Sequence, residues 1–268
     1  VYRLSMGDVQ VALNAADGAI RHMSKNGRCY LQAGASPCLD RPYSGLDAQP
    51  GWGWYSQYSV FHHLSCQAGR PQVFSGEEAV AVRFPFALTG GPWGIDGELC
   101  YTLEQAGLRV DPSYRVVPRV GLAFAVPQGF EALRYYGYGG VENYPDRMLA
   151  ARLGEFDSTV EAEHFAFVPP AESGGHEGAR WLELSNPEGG RLRIEGAAPF
   201  HFDAHHNTPQ DYRAARHEHE LIRRPETFLH IDAAHGPIGG DMAWSTGMPA
   251  QHRLPGGCYH LTIWIKAL

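Results

Sequence analysis

Histidines are the side chains of this sequence best suited to bind a metal or transfer protons, and 14 occur among its 268 residues. Two segments are rich in them, with His201, His205 and His206 in the first, and His217 and His219, alternating with Glu218 and Glu220, in the second. Alternate residues of a strand point to the same side, so the second segment is compatible with a zinc site. The HExxH pattern is absent, however, and we therefore expect no metal and no cofactor in this chain.

Two glycine-rich segments carry aromatic side chains that suit sugar binding. In GPIGGDMAWS (236–245), Trp244 offers a flat apolar face for sugar C–H groups, and Asp241 is an acceptor for sugar hydroxyls. A second segment offers the same chemistry, with Trp52, Trp54 and Tyr55 in GWGWYSQY. The residues alone leave a second interpretation open, in which these aromatics pack in a core or pin a long loop.

The stretch GYGGVENYPDRM (137–148) combines glycines, a proline and charged residues directly after the strand candidate LRYYGYG. Glycine reaches backbone conformations that are closed to other residues, and Pro145 fixes a turn. Glu142 and Arg147 could form a buried charge pair that keeps this turn rigid. We therefore predict a structural corner rather than direct ligand contacts. Its rim residues are Glu142, Asn143, Tyr144 and Arg147.

Charge and composition exclude several classes of function. With 22 basic and 29 acidic residues the formal charge is −7, so a nucleic acid is not an expected partner. No apolar run reaches the roughly 20 residues that span a bilayer, and the N-terminus lacks the features of a signal peptide. The five cysteines are scattered, which favours reduced thiols in a soluble cytoplasmic protein. Motifs for acyl and phosphoryl transfer are also absent.

The hydrophobic pattern predicts an all-β fold, in a single domain over residues 1–268, with short antiparallel strands joined by tight turns. The opening segment 8–23 reads as a hairpin, and residues 36–58 as a long surface loop. Further strands are predicted at 77–88, 95–105, 108–117, 121–127, 164–170, 179–186, 191–196, 200–206, 227–235 and 258–267. One short helix is predicted within 209–220. Because the chain begins with Val1, we expect it to be a piece of a longer protein.

Taken together, several segments resemble the C-terminal domain, also called the small chain or fifth domain, of family-2 glycoside hydrolases, the bacterial β-galactosidases. The resemblance depends on their order and spacing, because any one of them alone would be weak. The segments are PRVGLAFAVPQGFEALRYYGYGGVENYPDR (118–147), FVPPAESGGHEGARWLELSN (167–186), RHEHEL (216–221), FLHIDAAHGPIGGDMAWS (228–245) and LPGGCYHLTIWI (254–265). The resemblance does not extend to residues 36–47, where this chain has SPCLDRPYSGLD and the family has Arg-Ala-Pro-x-Asp-Asn. It therefore leaves open whether the loop 39–58 has the gating role of the family's loop.

The resemblance implies a large antiparallel supersandwich of the galactose mutarotase-like type. In such enzymes two glutamates of a separate (β/α)₈ barrel perform retaining hydrolysis, which requires carboxylates roughly 5–5.5 Å apart. It implies that this chain supplies no catalytic residue and closes over the barrel domain, its partner, to help bind a β-galactoside. Trp244 matches the family tryptophan that stacks on the sugar, Asp241 lies beside it, and Mg²⁺ and Na⁺ are possible in the barrel domain.

Two other classes of function remain open from the sequence. The same sandwich hosts aldose epimerases or mutarotases, which use a histidine and a carboxylate as acid and base. The candidate residues for that chemistry are His205, His217, Glu172 and Glu218. The chain could also be a carbohydrate-binding or assembly module without any activity.

Overall fold

The computed structural model describes residues 1–44, 47, 59–76, 79–91, 94–104, 107–114, 118–239 and 250–268. These residues form 18 strands, one α-helix and four short 3₁₀ segments. The strands are β1 (Tyr2–Met6), β2 (Val9–Leu13), β3 (Ile20–Lys25), β4 (Arg28–Leu31), β5 (Ala33–Cys38), β6 (Ser65–Ala68), β7 (Gln72–Ser75), β8 (Ala79–Thr89), β9 (Ile95–Glu104), β10 (Gly107–Tyr114), β11 (Arg119–Val126), β12 (Ala132–Gly139), β13 (Arg152–Thr159), β14 (His176–Ser185), β15 (Arg191–His205), β16 (Thr227–His235), β17 (Tyr259–His260) and β18 (Ile263–Ala267). The helix is α1 (Pro209–Ala214), and the 3₁₀ segments are Ser59–Phe61, Glu161–Glu163, Glu218–Glu220 and Ala250–His252.

Every described strand pair is antiparallel, and the pairs form two arms that meet at β15. The first arm runs from β6 and β7 through β8, β9, β10 and β18 to β15. The second runs from β1 through β2, β3, β5, β11 and β16 to β15. Strand β14 pairs with β15 and with β12, and β12 pairs in turn with β13.

Strand β15 is long enough to serve both arms. Its first half, from Leu192 to Gly196, pairs with β18, whereas its second half, from His201 to His205, pairs with β16. The register with β14 shifts between these halves, as expected where a bulge bends a strand. The second half is buried on both faces, and this places polar side chains of β15 deep inside the protein.

A hydrophobic cluster fills the space between the two arms. In β8, Val82, Phe84, Phe86 and Leu88 are buried while the residues between them are exposed, which is the period of two expected of a half-buried strand. Contacts across the cluster join the arms directly. Tyr101 in β9 donates a hydrogen bond from its hydroxyl to the carbonyl oxygen of Gly18, in the turn before β3, at 2.7 Å.

The opening hairpin is confirmed as the pair β2 and β3, and the predicted helix is confirmed in shortened form. Helix α1 begins with Pro209 after a capping box, in which Thr208 and Asp211 bond to each other's backbone N–H groups. It ends at Ala214, and the rest of the predicted range contains only a 3₁₀ segment. Among the described residues no helix is long and apolar enough to cross a membrane.

The sequence analysis is wrong at three places: one predicted strand is absent, one strand was missed, and a predicted surface loop begins in the interior. Residues 164–170 form no strand, because Pro169 and Pro170 have no N–H to donate to a ladder. Strand β13 was missed, since it pairs only with β12 and its side chains are exposed or half-buried. The predicted surface loop 36–58 starts inside the protein, where Leu39 and Arg41 are buried; residues 45–46 and 48–58 lie outside the described residues.

Candidate functional site

A fully buried arginine lies at the centre of a charged cluster between β11, β15 and β16. Arg119 donates from Nε and Nη2 to Oδ2 of Asp232, at 3.0 and 2.9 Å, and Nη2 also contacts Oδ2 of Asp203. On the other side of Asp203, Oδ1 accepts a hydrogen bond from Nδ1 of His230 at 2.7 Å. The strand pairing of β16 with both β11 and β15 brings these residues together.

Opposite charges keep Asp203 and His230 of this cluster ionised although both are buried. Burial alone would raise the pKa of Asp203, but Arg119 and His230 hold that pKa well below its ordinary value. Burial alone would lower the pKa of His230, but the Asp203 carboxylate outweighs it and raises that pKa to about 10. The cluster therefore contains charged groups that depend on each other to remain in the interior.

The corner predicted from the sequence contacts the chain at residues 174–177. Glu142 and Arg147 form an ion pair of 2.9 Å, but their side chains are 19% and 40% exposed, so the predicted burial of this pair is wrong: Arg147 reaches into solvent. Asn143 is fully buried and its Oδ1 accepts a hydrogen bond from the backbone N–H of Glu177 at 2.7 Å. Tyr144 is equally buried. That these four rim residues form a structural corner rather than contact a ligand stays a prediction.

The same corner holds the chain that leaves β16. The carboxylate of Asp146 accepts hydrogen bonds from the backbone N–H groups of Ile238, at 3.0 Å, and Gly239, at 2.7 Å. The chain that these bonds fix continues directly into residues 240–249. Asp241 and Trp244, the predicted sugar-binding residues, belong to that segment and lie outside the described residues.

A buried arginine binds the same stretch from the opposite direction. Arg41 donates from Nη1 to the carbonyl oxygen of Gly236, at 3.0 Å, and from Nη2 to that of Pro237, at 2.8 Å. Its charge is paired with Asp47 at 2.9 Å. The sequence analysis missed Arg41 because it placed this residue in a surface loop. Together with Asp146, it fixes the backbone from 236 to 239 by side-chain hydrogen bonds.

A cavity of about 630 Å³ opens beside this clamped stretch. Its lining includes Tyr43, Phe167, Glu172, Tyr212 and Ile238. Burial raises the pKa of Glu172 to about 7, although Arg119 opposes that rise. The size is in the range of small-molecule sites, and apolar and aromatic walls with three charged side chains, Arg147, Glu172 and Arg213, suit a polar organic ligand.

The four residues considered for epimerase chemistry do not pair with one another. His205 donates from Nε2 to the carbonyl oxygen of Ser173 at 2.9 Å, and His217 lies 3.3 Å from Glu220. Glu218 pairs with His164 at 2.7 Å. The histidine nearest to Glu172 is one that the sequence analysis did not name, His235, with its Nε2 at 3.5 Å from Oε1. The four named residues therefore do not form an acid and base pair with one another.

A second buried network connects the corner to a 3₁₀ segment. Nε2 of His176 lies 2.6 Å from Oε2 of Glu163, and Nδ1 of His176 lies within hydrogen-bond distance of Asn143 and the Tyr135 hydroxyl. Burial alone would raise the pKa of Glu163, but the hydrogen bond from His176 outweighs it and lowers that pKa below the ordinary 4.5.

Replacing Glu163 by glutamine is expected to lower the free energy of unfolding at neutral pH by about 1–3 kcal/mol, because the bond to His176 loses its charge. A carboxyl whose pKa is lowered by folding stabilises the protein above its unfolded pKa and loses that contribution as the pH falls through its folded pKa. The difference between wild type and Glu163→Gln should therefore shrink below pH 4.5 in urea unfolding. Glu155→Gln, in an exposed pair, is the control. A difference that does not change with pH would contradict the argument.

The antiparallel arms and the long central strand define the fold as galactose mutarotase-like. A galactose mutarotase-like protein from Clostridium acetobutylicum superposes with a TM-score of 0.56 at 8% identity, covering 99% of this chain and 94% of the other. At this identity the likeness concerns the fold alone.

The family model described as β-galactosidase small chain matches residues 5–265, and the chain belongs to this family. A β-galactosidase from Streptococcus thermophilus is 26% identical over 270 residues, and one from Photobacterium profundum is 30% identical over 175 residues. These matches cover 96% and 62% of this chain but only 26% and 16% of the relatives. The chain thus corresponds to a minor part of the length of these relatives.

Proposed function

We propose that this chain is the small-chain part of a larger cytoplasmic enzyme that hydrolyses terminal β-D-galactosides, such as lactose, with retention. In this proposal the two catalytic glutamates belong to a separate (β/α)₈ domain, where Mg²⁺ and Na⁺ would also be bound. The chain completes the galactoside site of that domain without supplying a catalytic residue. The membership of the β-galactosidase small chain family supports this assignment.

The observation that carries the proposal is the clamp on residues 236–239. Two backbone N–H groups are bound by Asp146 and two backbone carbonyls by Arg41, so the chain enters the segment 240–249 in one fixed position. Catalysis depends on holding binding groups in place, because a displacement of about 1 Å can cost 100-fold in rate. A clamp of this kind is useful where the following residues must meet a second domain accurately.

The residues proposed to use this position are Asp241 and Trp244. An indole ring provides apolar area at low entropic cost for stacking on the C–H face of a sugar, and the carboxylate of Asp241 accepts hydrogen bonds from its hydroxyls. Trp244 and the clamp are expected to act together, since the clamp positions the segment that carries this tryptophan.

The test uses the full-length enzyme that contains this chain, with nitrophenyl β-galactoside as substrate. Trp244→Ala and Asp146→Asn are each expected to lower kcat/KM by about 10- to 100-fold, the first by removing the stacking surface and the second by loosening its attachment. The double variant should lose little more than either single variant, because both changes disable one binding element.

Asp157→Asn is the matched control, because the Asp157 side chain is 83% exposed and lies on β13. It should leave kcat/KM unchanged. The proposal fails if the full-length enzyme does not hydrolyse the galactoside, or if both Trp244→Ala and Asp146→Asn retain wild-type kcat/KM while folding normally.

A further inference from the structure

Three buried side chains near the end of β16 turn unpaired ligand atoms towards each other. Nε2 of His201, Oδ1 of Asp232 and Nε2 of His235 have no hydrogen-bond partner among the described residues. Each of the three residues is at most 2% exposed. The ligand atoms offered by this group lie within 4.8 Å of one another. Buried polar atoms are normally satisfied, so three such atoms in one place require an explanation.

The second nitrogen of each imidazole is already bonded. Nδ1 of His201 donates to Oε1 of Glu177 at 3.0 Å, and Nδ1 of His235 donates to the carbonyl oxygen of Gly236 at 2.7 Å. In a neutral imidazole the other nitrogen, Nε2, then carries a lone pair. Metal-binding histidines are typically oriented in this way, by a carboxylate or a backbone carbonyl on the far nitrogen.

The charges around this group favour a cation. The positive groups are Arg41, Arg119 and His230, and the carboxylates are Asp47, Asp203, Asp232, Glu172 and Glu177. Five carboxyl groups thus surround three cations, and burial raises the pKa of one of them, Glu172, to about 7, so this carboxyl also takes up a proton where no cation is bound. Uncompensated charge in the interior is strongly unfavourable, so a cation bound among these carboxyl groups would be stabilised.

Space and access are also present. Gly121 leaves room for the Asp232 carboxylate, since a Cβ at this position would lie 1.9 Å from Oδ1. Glu172 lies against the group, with Oε1 at 3.5 Å from Nε2 of His235, and it also lines the cavity of about 630 Å³. An ion can therefore reach the histidines from the cavity past one carboxylate, and that carboxylate is placed to become a fourth ligand.

We propose that His201, Asp232 and His235 bind a divalent transition-metal ion, with Zn²⁺ as the best match. Imidazole nitrogens with a carboxylate oxygen suit Zn²⁺, whereas Mg²⁺ and Ca²⁺ prefer oxygen ligands alone. With bonds of about 2.0–2.1 Å, tetrahedral ligands lie about 3.3 Å apart, so the three side chains close slightly around the ion. The metal joins β15 to the end of β16, directly before the clamped residues 236–239.

Two other groups with metal-ligand side chains are less suitable. Glu131, Glu161 and His206 are already bridged by Arg223, which donates to both carboxylates at 3.1 and 3.0 Å. The second group, His217, His219 and Glu220, is exposed and can bind metal only as a surface site. It must be removed before zinc binding can be assigned to the buried group.

The experiment uses the full chain with His217→Gln, His219→Gln and Cys258→Ser, three exposed changes that remove competing surface ligands. After treatment with a chelator this background variant is dialysed against Zn²⁺ alone. We expect one zinc per chain, a raised melting temperature, and an X-ray absorption spectrum with two imidazole ligands and the remainder oxygen.

Adding His201→Gln to the background should weaken zinc binding by at least about 100-fold, and Glu177→Gln by about 10- to 100-fold, because it only orients the ligand. His206→Gln is the matched control and should retain one zinc, since this buried histidine binds Glu131 and a backbone carbonyl. If His201→Gln does not fold, the absorption spectrum of the background variant decides. Absence of stoichiometric zinc, a spectrum without two imidazoles, or unchanged binding in a folded His201→Gln variant would overturn the proposal.

Discussion

Replacing Arg119 by methionine is expected to lower the free energy of unfolding by about 3–5 kcal/mol. Methionine fills much of the same volume but removes the cation that lies between the two buried carboxylates, so that Asp232 loses its arginine and Asp203 keeps only the bond from His230. Both carboxylates are buried, so water cannot solvate either charge. Only protonation or local unfolding relieves their repulsion, and both processes are costs to the folded state. Urea unfolding measured by fluorescence gives the difference directly.

The control for size and charge is Arg134→Met, since Arg134 forms an exposed ion pair with Glu155 and should tolerate the change without a measurable loss of stability. A second comparison separates charge from packing. Adding Asp203→Asn and Asp232→Asn to Arg119→Met should recover part of the lost stability, because the isolated charges are removed. A triple variant less stable than Arg119→Met alone would show that shape, rather than charge, dominates at this position.

The fold was largely predictable because most strands alternate buried and exposed residues. Strand β8 shows that period from Val82 to Thr89, and the β2–β3 hairpin has a turn sequence that connects two strands. The alternation gives a weaker signal for a strand that pairs with only one neighbouring strand. Strand β13 has a mostly polar sequence, since β12 supplies its hydrogen bonds and Phe156 is its one side chain that packs against the core.

The charged cluster was not predictable by the same method. Arg119 is 84 residues from Asp203 and 113 from Asp232, and single charged residues in a strand normally indicate a solvent-facing side. Here the strand pairing places these charged residues in the interior instead, because β16 pairs with β11 on one side and with β15 on the other. The one available signal was the segment FHFDAHH, where polar residues alternate with aromatics in a strand buried on both faces.

The histidines show the same limit. His201, His205 and His206 are neighbours in sequence, yet the three bind Glu177, the Ser173 carbonyl and Glu131, respectively. The imidazole that stacks on His201, with ring centroids 4.3 Å apart, comes from His235 in the adjacent strand. Proximity in sequence therefore suggested the wrong grouping, since neighbouring strand residues diverge while cross-strand residues meet.

The corner and the histidine pair are physically connected. Tyr144 packs its ring against those of His201 and His235, at 5.5 and 5.3 Å between centroids, and its hydroxyl accepts a hydrogen bond from the N–H of Gly175. Asp146, two residues further on, holds the chain that follows β16. Packed contacts and hydrogen bonds therefore link the buried group to residues 236–239.

Strands β11 and β16 lie very close to each other at Gly121. Here β11 passes β16 at a register shift, and a Cβ on Gly121 would lie 2.5 Å from the carbonyl oxygen of Ile231 and 2.8 Å from Cα of Asp232. These are backbone atoms, so no rotation of a side chain can relieve the clash. The position requires glycine because of this lack of space.

Gly121→Ala is therefore expected to destabilise the protein by more than about 3 kcal/mol, at the upper end of what overpacking costs, because β11 and β16 must separate and Asp232 must leave Arg119. The measurement is the urea midpoint. Gly257→Ala is the matched control, since a Cβ there has no heavy atom within 4 Å, and it should change the midpoint little. If Gly121→Ala were as stable as Gly257→Ala, the strands could not lie as close as the structure has them, and the pairing that assembles the cluster would have to be different.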